Sequence, residues 1–385
     1  MNMLRTILSV ISVIFLTFLC LNQAPYPYIW IFVLWLGGLS ICIKRSARAN
    51  SKAVFVNVLV VVALLLGLEI FVTLKNPPAL TDRNYSQGYR TDHPDLGYAP
   101  QPNQVAESDM SANGQLTYDV QYTIDEFALR RGPDIDSSDC ILFFGGSFVF
   151  GEGVADDQAL PWLTGVALAT RTINFGFHGY GPHQMLANID TGKVASTVDC
   201  APVAAVYVLI DDHMFRSAGK ASWDVDGPRY VVNDAGRAIR QGKFSDYKSS
   251  RDAFGEKVQG KLVKSNAYQY FFGNRRTFEE SDLELLESIF VTAREALEAS
   301  YPQLRFMVLH WNNPQTKHTA LIQAALRAAN IELYQLTDGI NDLQNASENY
   351  ALRGDGHPNP IAHKRAADFM AQILQTTSPA KLPAN

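Results

Sequence analysis

The chain is 385 residues long, beyond the length that one core usually serves, so more than one unit is expected. It is 47% apolar and 18% charged, which suits a folded protein, but the apolar residues are unevenly spread. A net charge of −5, with no basic groove legible in the second half, argues against a nucleic-acid partner.

Three apolar runs open the chain, at 6–21, 26–43 and 53–74. The first two carry no charge, and the third carries only Glu69 near its far end. A membrane helix needs roughly 20 apolar residues, with about 17 the usual minimum. The third run is long enough if Glu69 lies close to the headgroups. The second is adequate, and the first is slightly short unless Asn22 and Gln23 sit among the headgroups. A cleaved signal peptide is the simpler reading of the first run, but no small-x-small cleavage site follows it and two more runs come directly after. Cys20, in TFLC, makes a poor lipoprotein site. Residues 1–75 are therefore expected to form an anchor of three transmembrane helices.

Arg5 precedes the first run, and Lys44, Arg45, Arg48 and Lys52 join the second to the third, whereas the loop NQAPYP has no basic residue. The positive-inside rule places the basic loop in the cytoplasm and everything after Lys75 on the other side. In a bacterial inner membrane that makes a multi-pass protein with a periplasmic domain. Through Lys75 six basic residues stand against one acid, which leaves 27 basic and 37 acidic residues beyond it, a net −10.

Residues 76–138 are rich in Pro, Asn, Asp and Tyr and read as a linker with a small β-rich lead-in. From 139 to 385 the pattern is strand–helix alternation, with strands expected at 141–144, 172–175, 204–210, 305–310 and 332–335. The clearest helix is SDLELLESIFVTAREALEAS, where Leu283, Leu286, Phe290, Ala293 and Leu297 share a face and Ser281 with Glu284 suggests a capping box. Such alternation predicts an α/β fold, a parallel sheet with helices on both faces. A polar insertion around 216–272 is expected near the site as a β-excursion or lid. Cys140 and Cys200 each stand directly before an apolar strand. On neighbouring parallel strands their sulfurs would start at the same end, where an oxidising compartment lets them pair; two unpaired buried cysteines are the alternative.

Ligands of such sheets sit beyond the carboxyl ends of the strands, where Ser147 falls, and three stretches carry candidate chemistry. CILFFGGSFVFGEGV presents Ser147 between a strand end and a helix start, with backbone N–H groups nearby, as an acyl-transfer nucleophile requires. An ordinary tight turn is the alternative. INFGFHGYGPHQ offers glycines that let a backbone N–H approach a reacting carbonyl oxygen. GDGHPNPIAHKRAADFMAQIL sets Asp355 and His357 on one turn, before a helix capped by Asn359 and started by Pro360, as a base and its orienting carboxylate. His178, His183, His213 and His310 show no ligand spacing, so no metal is expected, and no cofactor motif is present.

In this order the stretches resemble the SGNH/GDSL hydrolase family of serine esterases, from about Ile141 to the final helix. The resemblance implies a three-layer, flavodoxin-like α/β fold in which Ser147 is the nucleophile. Gly146 stands where the family often has Asp. In the second block Gly179 matches the oxyanion glycine better than Gly176 does. The last block supplies Asp355 and His357, one residue closer together than the family's usual Asp-x-x-His. The third block departs further: where an Asn–Asp pair is expected, the chain reads DDHMFR, with Asp211, Asp212, His213 and Arg216. An ionised carboxylate cannot donate to an oxyanion, so either Asp212 is protonated, or His213 donates instead, or the chemistry is less ordinary; His213 is the favoured donor, and a salt link between Arg216 and an aspartate is the structural alternative. HPDLGYAPQPN and YTIDEFALR resemble segments that precede the catalytic domain in membrane-tethered bacterial members.

The resemblance implies a membrane-anchored esterase acting on acyl, above all acetyl, esters of an envelope glycan or lipid. An O-acyltransferase working with a multi-span membrane partner, and a degenerate domain that binds glycan or scaffolds an assembly, are the rival readings.

Overall fold

The computed structural model describes residues 2–78, 80–273, 277–312 and 315–377. The chain divides into two compact units, Met1–Leu80 with Lys248–Arg276, and Thr81–Tyr247 with Thr277–Asn385.

The first unit is built on three helices, α1 (Asn2–Gln23), α2 (Pro27–Arg45) and α3 (Ala49–Lys75). α2 packs on both others, and Trp35 Nε1 donates to Thr17 Oγ1 of α1 at 3.2 Å. Among the described residues, only α2 and α3 are long and apolar enough to cross a membrane, judged on length and composition, against the three spans expected. In α1 the described side chains give a shorter apolar stretch, Ser12–Gln23. Two helices of the same unit, Ser250–Leu262 and Asn266–Phe272, cover the end at which α1 stops and α2 starts. There Lys264 Nζ donates to Leu21 O at 2.6 Å and Tyr28 Oη to Lys261 O at 3.2 Å. Glu69, only 1% exposed, accepts from the Ser265 hydroxyl at 2.6 Å and from the N–H groups of Asn266 and Ala267 at 2.7 and 3.1 Å. A carboxylate within an apolar helix needs such donors, because burial without them costs several kcal/mol.

The insertion expected as one piece over 216–272 therefore parts at Tyr247. Its first half belongs to the second unit and its second half to the unit of α1, α2 and α3, where Glu69 supplies the partner.

The second unit opens with β1 (Thr81–Tyr85), β2 (Thr91–His93), β3 (Gly97–Ala99), β4 (Gln104–Ala112) and β5 (Gln115–Ile124). It continues with β6 (Asp139–Gly145), β7 (Arg171–Asn174), β8 (Ala201–Leu209), β9 (Pro228–Val232), β10 (Ala238–Lys243), β11 (Arg305–His310) and β12 (Glu332–Gln335). Antiparallel β1, β4 and β5 form one sheet, β2 pairs β3, and β9 pairs β10 as the hairpin within the expected insertion. The main sheet is parallel throughout, in the order β12-β11-β8-β6-β7. From β6 the chain crosses over to β7 on one side and continues to β8 on the other, the order of flavodoxin-like sheets with a switch point at the end of β6.

Both faces are covered, so β6 and β8 are apolar nearly throughout. Leu142, Phe144, Tyr207 and Leu209 pack with Met185, Phe290 and Leu297 on one face. Ile141, Phe143, Val206 and Val208 pack with Ala366 and Met370 of the helix Pro360–Thr377 on the other. The helix Glu280–Ser300 buries Leu286, Phe290, Ala293 and Leu297 as its spacing predicts. It begins earlier than the Ser281–Glu284 box: Glu279 is the N-cap, and its N–H donates to Asp282 Oδ2 at 3.0 Å. Cys140 and Cys200 form a disulfide with Cα atoms 5.9 Å apart, joining the starts of adjacent strands.

Candidate active site

β6 ends in glycines and delivers Ser147 to the first position of the short helix Ser147–Phe150, with only 4% of its surface exposed. His357 Nε2 lies 2.8 Å from Ser147 Oγ, and His357 Nδ1 lies 2.8 Å from Asp355 Oδ2. A hydroxyl, an imidazole and a carboxylate joined in that order are what activation of a serine requires. The shortened Asp-x-His spacing survives because Gly356 between them has φ +85°, a left-handed conformation open to glycine, which folds the carboxylate back over the ring. The turn is fixed by Leu352 N–H donating to His357 O at 2.7 Å and by the Asn359 side chain, which caps the following helix by accepting from Ala362 N–H at 3.0 Å.

The third block resolves into three directions. Asp211 turns inward, where its Oδ1 lies 2.8 Å from His310 Nε2. Burial would raise this carboxyl, but the hydrogen bonds of His310, Thr316 and Thr319 hold it below the usual range. Asp212 takes the structural alternative: its Oδ2 accepts from Arg216 Nε at 2.8 Å. His213 is 1% exposed, with its Nδ1 2.9 Å from the Tyr207 hydroxyl. Burial, then the charge of Arg216, push its pKa well below 6.5, so the ring is neutral. A phenol that donates to Nδ1 leaves the ring proton on Nε2, and that nitrogen borders the loop that carries Ser147. A Cβ added at Gly146 would lie 3.0 Å from it and 2.9 Å from Arg216 Nη1. This crowding accounts for glycine at 146, because the room an aspartate would need is filled by His213 and Arg216.

In the second block the Gly176 N–H is spent on Asn174 Oδ1 at 3.0 Å. Among the described residues no acceptor is recorded for the Gly179 N–H, while Gly179 O accepts from Trp223 Nε1 at 3.2 Å.

Four further residues converge here that the sequence reading did not assign. Glu152, fully buried, accepts from Arg83 Nη1 at 2.9 Å and from the Tyr85 hydroxyl at 2.6 Å, and it pairs with His178 Nδ1. Its Oε2 lies 3.8 Å from His357 Nε2. Burial alone would raise the Glu152 carboxyl; His178 by charge and hydrogen bond, then His357 and Tyr85, bring it down to about 2. Burial and the Glu152 charge push the Tyr85 hydroxyl up, so it remains a donor. Arg83 Nη2 also pairs with Asp355. The carboxylate in FGEG follows Ser147 by five positions, and that apolar setting is the one available signal for it. Arg83 and Tyr85 reach the site only through the placement of β1, which no local pattern reveals.

No protein-family model and no curated protein matches the chain. Among solved structures, similarity is found to an acetyl xylan esterase from the rumen bacterium Butyrivibrio proteoclasticus, 11% identical over 69% of this chain and 68% of that one, with a TM-score of 0.37. A carbohydrate esterase family 2 enzyme with a carbohydrate-binding domain from Corynascus thermopiles is 12% identical over 69% and 70% of the two chains, with a TM-score of 0.34. A protein assigned to the lipolytic G-D-S-L family from Desulfitobacterium hafniense is 11% identical, covered over 99% of its length by 61% of this chain, with a TM-score of 0.36. The family that the sequence blocks resemble is thus met again among these structures. At such TM-scores the likeness carries no argument, and the chemistry rests on the side chains.

Proposed function

We propose that the chain is a membrane-anchored serine esterase of the SGNH type, acting on acyl esters, above all acetyl esters, of a cell-envelope glycan or lipid. The observation that carries this reading is the connected series Ser147 Oγ, His357 Nε2, His357 Nδ1 and Asp355 Oδ2, with both contacts at 2.8 Å. His357 takes the Ser147 proton as the hydroxyl attacks the ester carbonyl. Asp355 orients the ring and faces the positive charge it gains, and Glu152 adds a second negative charge near Nε2. The N–H groups of Ser147 and Gly179, with His213 Nε2–H, receive the oxyanion. His357 then protonates the leaving alcohol, and water releases the acyl group by the same steps.

The placement has its own support. The basic loop between α2 and α3 stays in the cytoplasm and α3 carries the chain outward, with α1 completing an anchor of three spans. The Cys140–Cys200 disulfide of the second unit suits the oxidising side, the periplasm of a Gram-negative cell.

The test uses the full chain in detergent, with a fluorophosphonate probe and nitrophenyl acetate. Labelling and turnover are expected in the wild type and lost in Ser147→Ala and His357→Ala. A folded wild type that neither labels nor turns over sinks the esterase reading and favours a binding role.

A further inference from the structure

The mouth of the site holds a second imidazole–carboxylate pair built like the first. In each, a buried carboxylate engages Nδ1: Asp355 for His357, and Glu152 for His178. The two rings lie 6.4 Å apart between centroids and are inclined by 32°. His357 spends its Nε2 on Ser147. His178 has a partly exposed side chain, 25% accessible, and among the described residues no partner is recorded for its Nε2. Its backbone is fixed as well, since His178 O accepts from the Tyr98 hydroxyl at 3.0 Å. A ring clamped at Nδ1 by a carboxylate with three other neighbours, Arg83, Tyr85 and His357, is costly to build for packing alone. Its ring stands beside His357, the base that would take a proton from an incoming alcohol, with centroids 6.4 Å apart.

We propose that His178, oriented by Glu152, is the binding residue for a hydroxyl of a sugar or polyol acceptor, and that the acyl-enzyme passes its acyl group to such an alcohol as well as to water. The inference rests on Ser147 being the acylated nucleophile. A hydroxyl both donates and accepts, so it satisfies the His178 nitrogen in either protonation state. Trp223, 37% exposed and bonded to Gly179 O, places an aromatic face beside that nitrogen's loop. An aromatic face next to a few convergent polar groups suits a sugar ring, whose C–H bonds lie on the aromatic while its hydroxyls bond at the edge. In the transfer step the bond between the acyl carbon and Ser147 Oγ breaks as the bond from the acceptor oxygen to that carbon forms. The acceptor's proton passes to His357 Nε2 and from there to Ser147 Oγ. His178 holds its hydrogen bond throughout and is unchanged at the end.

The experiment measures the partition of the acyl-enzyme. Full-length protein in detergent is supplied with nitrophenyl acetate and increasing methyl glucoside, and acetylated glucoside is measured against free acetate. In the wild type the ratio of transfer to hydrolysis is expected to saturate with glucoside. In His178→Ala and the milder His178→Gln it should fall by about tenfold or more, the equivalent of one lost hydrogen bond. Fluorophosphonate labelling of each variant reports an intact nucleophile. A ratio that rises linearly without saturation in the wild type, or that is unchanged in labelled His178 variants, overturns the acceptor site and leaves the serine esterase standing. Absence of labelling in the wild type overturns both.

Discussion

Arg83 and Asp355, 272 positions apart in the chain, form an ion pair at the heart of the site. The same guanidinium holds Glu152 through its other terminal nitrogen, so one side chain from β1 fixes the carboxylates of both imidazoles. The antiparallel lead-in is thereby a working part of the site, although its strands lie outside the main parallel sheet.

Arg83→Ala should lower kcat by up to about a hundredfold with a smaller effect on KM, because it misplaces Asp355 and leaves Glu152 short of a donor. Arg83→Lys should recover little, since a point charge cannot serve two carboxylates in a fixed fork. Nitrophenyl acetate kinetics on protein shown to be folded read this directly. Equal losses in kcat for the Lys and Ala variants are expected; full activity in either refutes the positioning role.

His213→Ala should cost about a hundred- to a thousandfold in kcat if Nε2–H is an oxyanion donor. His213→Gln, which keeps a donor, should lose less. If the Ala and wild-type rates agree, the oxyanion is held by backbone groups alone.

Acid should destabilise the protein from an unusually high pH. His213 and His363 are buried, and burial, then neighbouring positive groups, lower both; His363 is carried down to about 3 from 6.5. Its Nδ1 accepts the Leu160 N–H at 3.2 Å, which the protonated ring could not do. Because the folded pKa is depressed, the unfolded chain binds protons below pH 6.5 that the folded chain refuses. Stability present above 6.5 is lost as pH falls toward 3, at about 1.4 kcal/mol per pH unit for each such ring. Glu152, with its folded value near 2 against 4.5, adds a loss in the same direction below about pH 4.5. Melting temperatures between pH 7.5 and 4.5 should fall steeply in the wild type and less steeply in His363→Gln.

The Cys140–Cys200 bond closes a loop of sequence separation 60, for which chain entropy predicts roughly 4 kcal/mol of stabilisation. Alkylation without reductant should leave both thiols unmodified, and Cys140→Ser with Cys200→Ser should lower the melting temperature by several degrees. Ready alkylation of Cys140 or Cys200 in the untreated protein, scored apart from the free Cys20 and Cys42, would argue for a reducing compartment.

Glu69→Leu should free the segment that Ser265, Asn266 and Ala267 dock, because their donors lose the one carboxylate they share. Limited proteolysis is expected to cut within 248–276 in the variant long before the wild type.

The parallel sheet was readable because short apolar runs alternate with helical stretches, and Ser147 drew attention because one of those runs, β6, ends in glycines directly before it. Asp355 and His357 were readable because one turn carries both. What stayed hidden depended on contacts across the chain. Asp212 could serve the oxyanion only if protonated, with a salt link to Arg216 as the alternative, and the helical turn over Asp212–Ser217 brings the arginine back onto it. Glu152 carried no assignment, since its partners come from β1 and from the loop after β7. The stretch from 248 onward is polar enough to read as a lid. Its tie to Glu69, 196 positions earlier from Ser265, carries no local signature.

The chain passes between its two units three times, after Leu80, after Tyr247 and after Arg276. Trimming the protein to start beyond α3 therefore does not yield a clean soluble fragment. The trimmed chain would keep the helix Asn266–Phe272 while losing Glu69 and Thr73, to which it is bonded. Tyr270, Phe271 and Phe272, already 62%, 45% and 53% exposed, would then hang from an unanchored loop and invite aggregation. A well-behaved fragment needs a second excision, with a short bridge joining Tyr247 to Thr277.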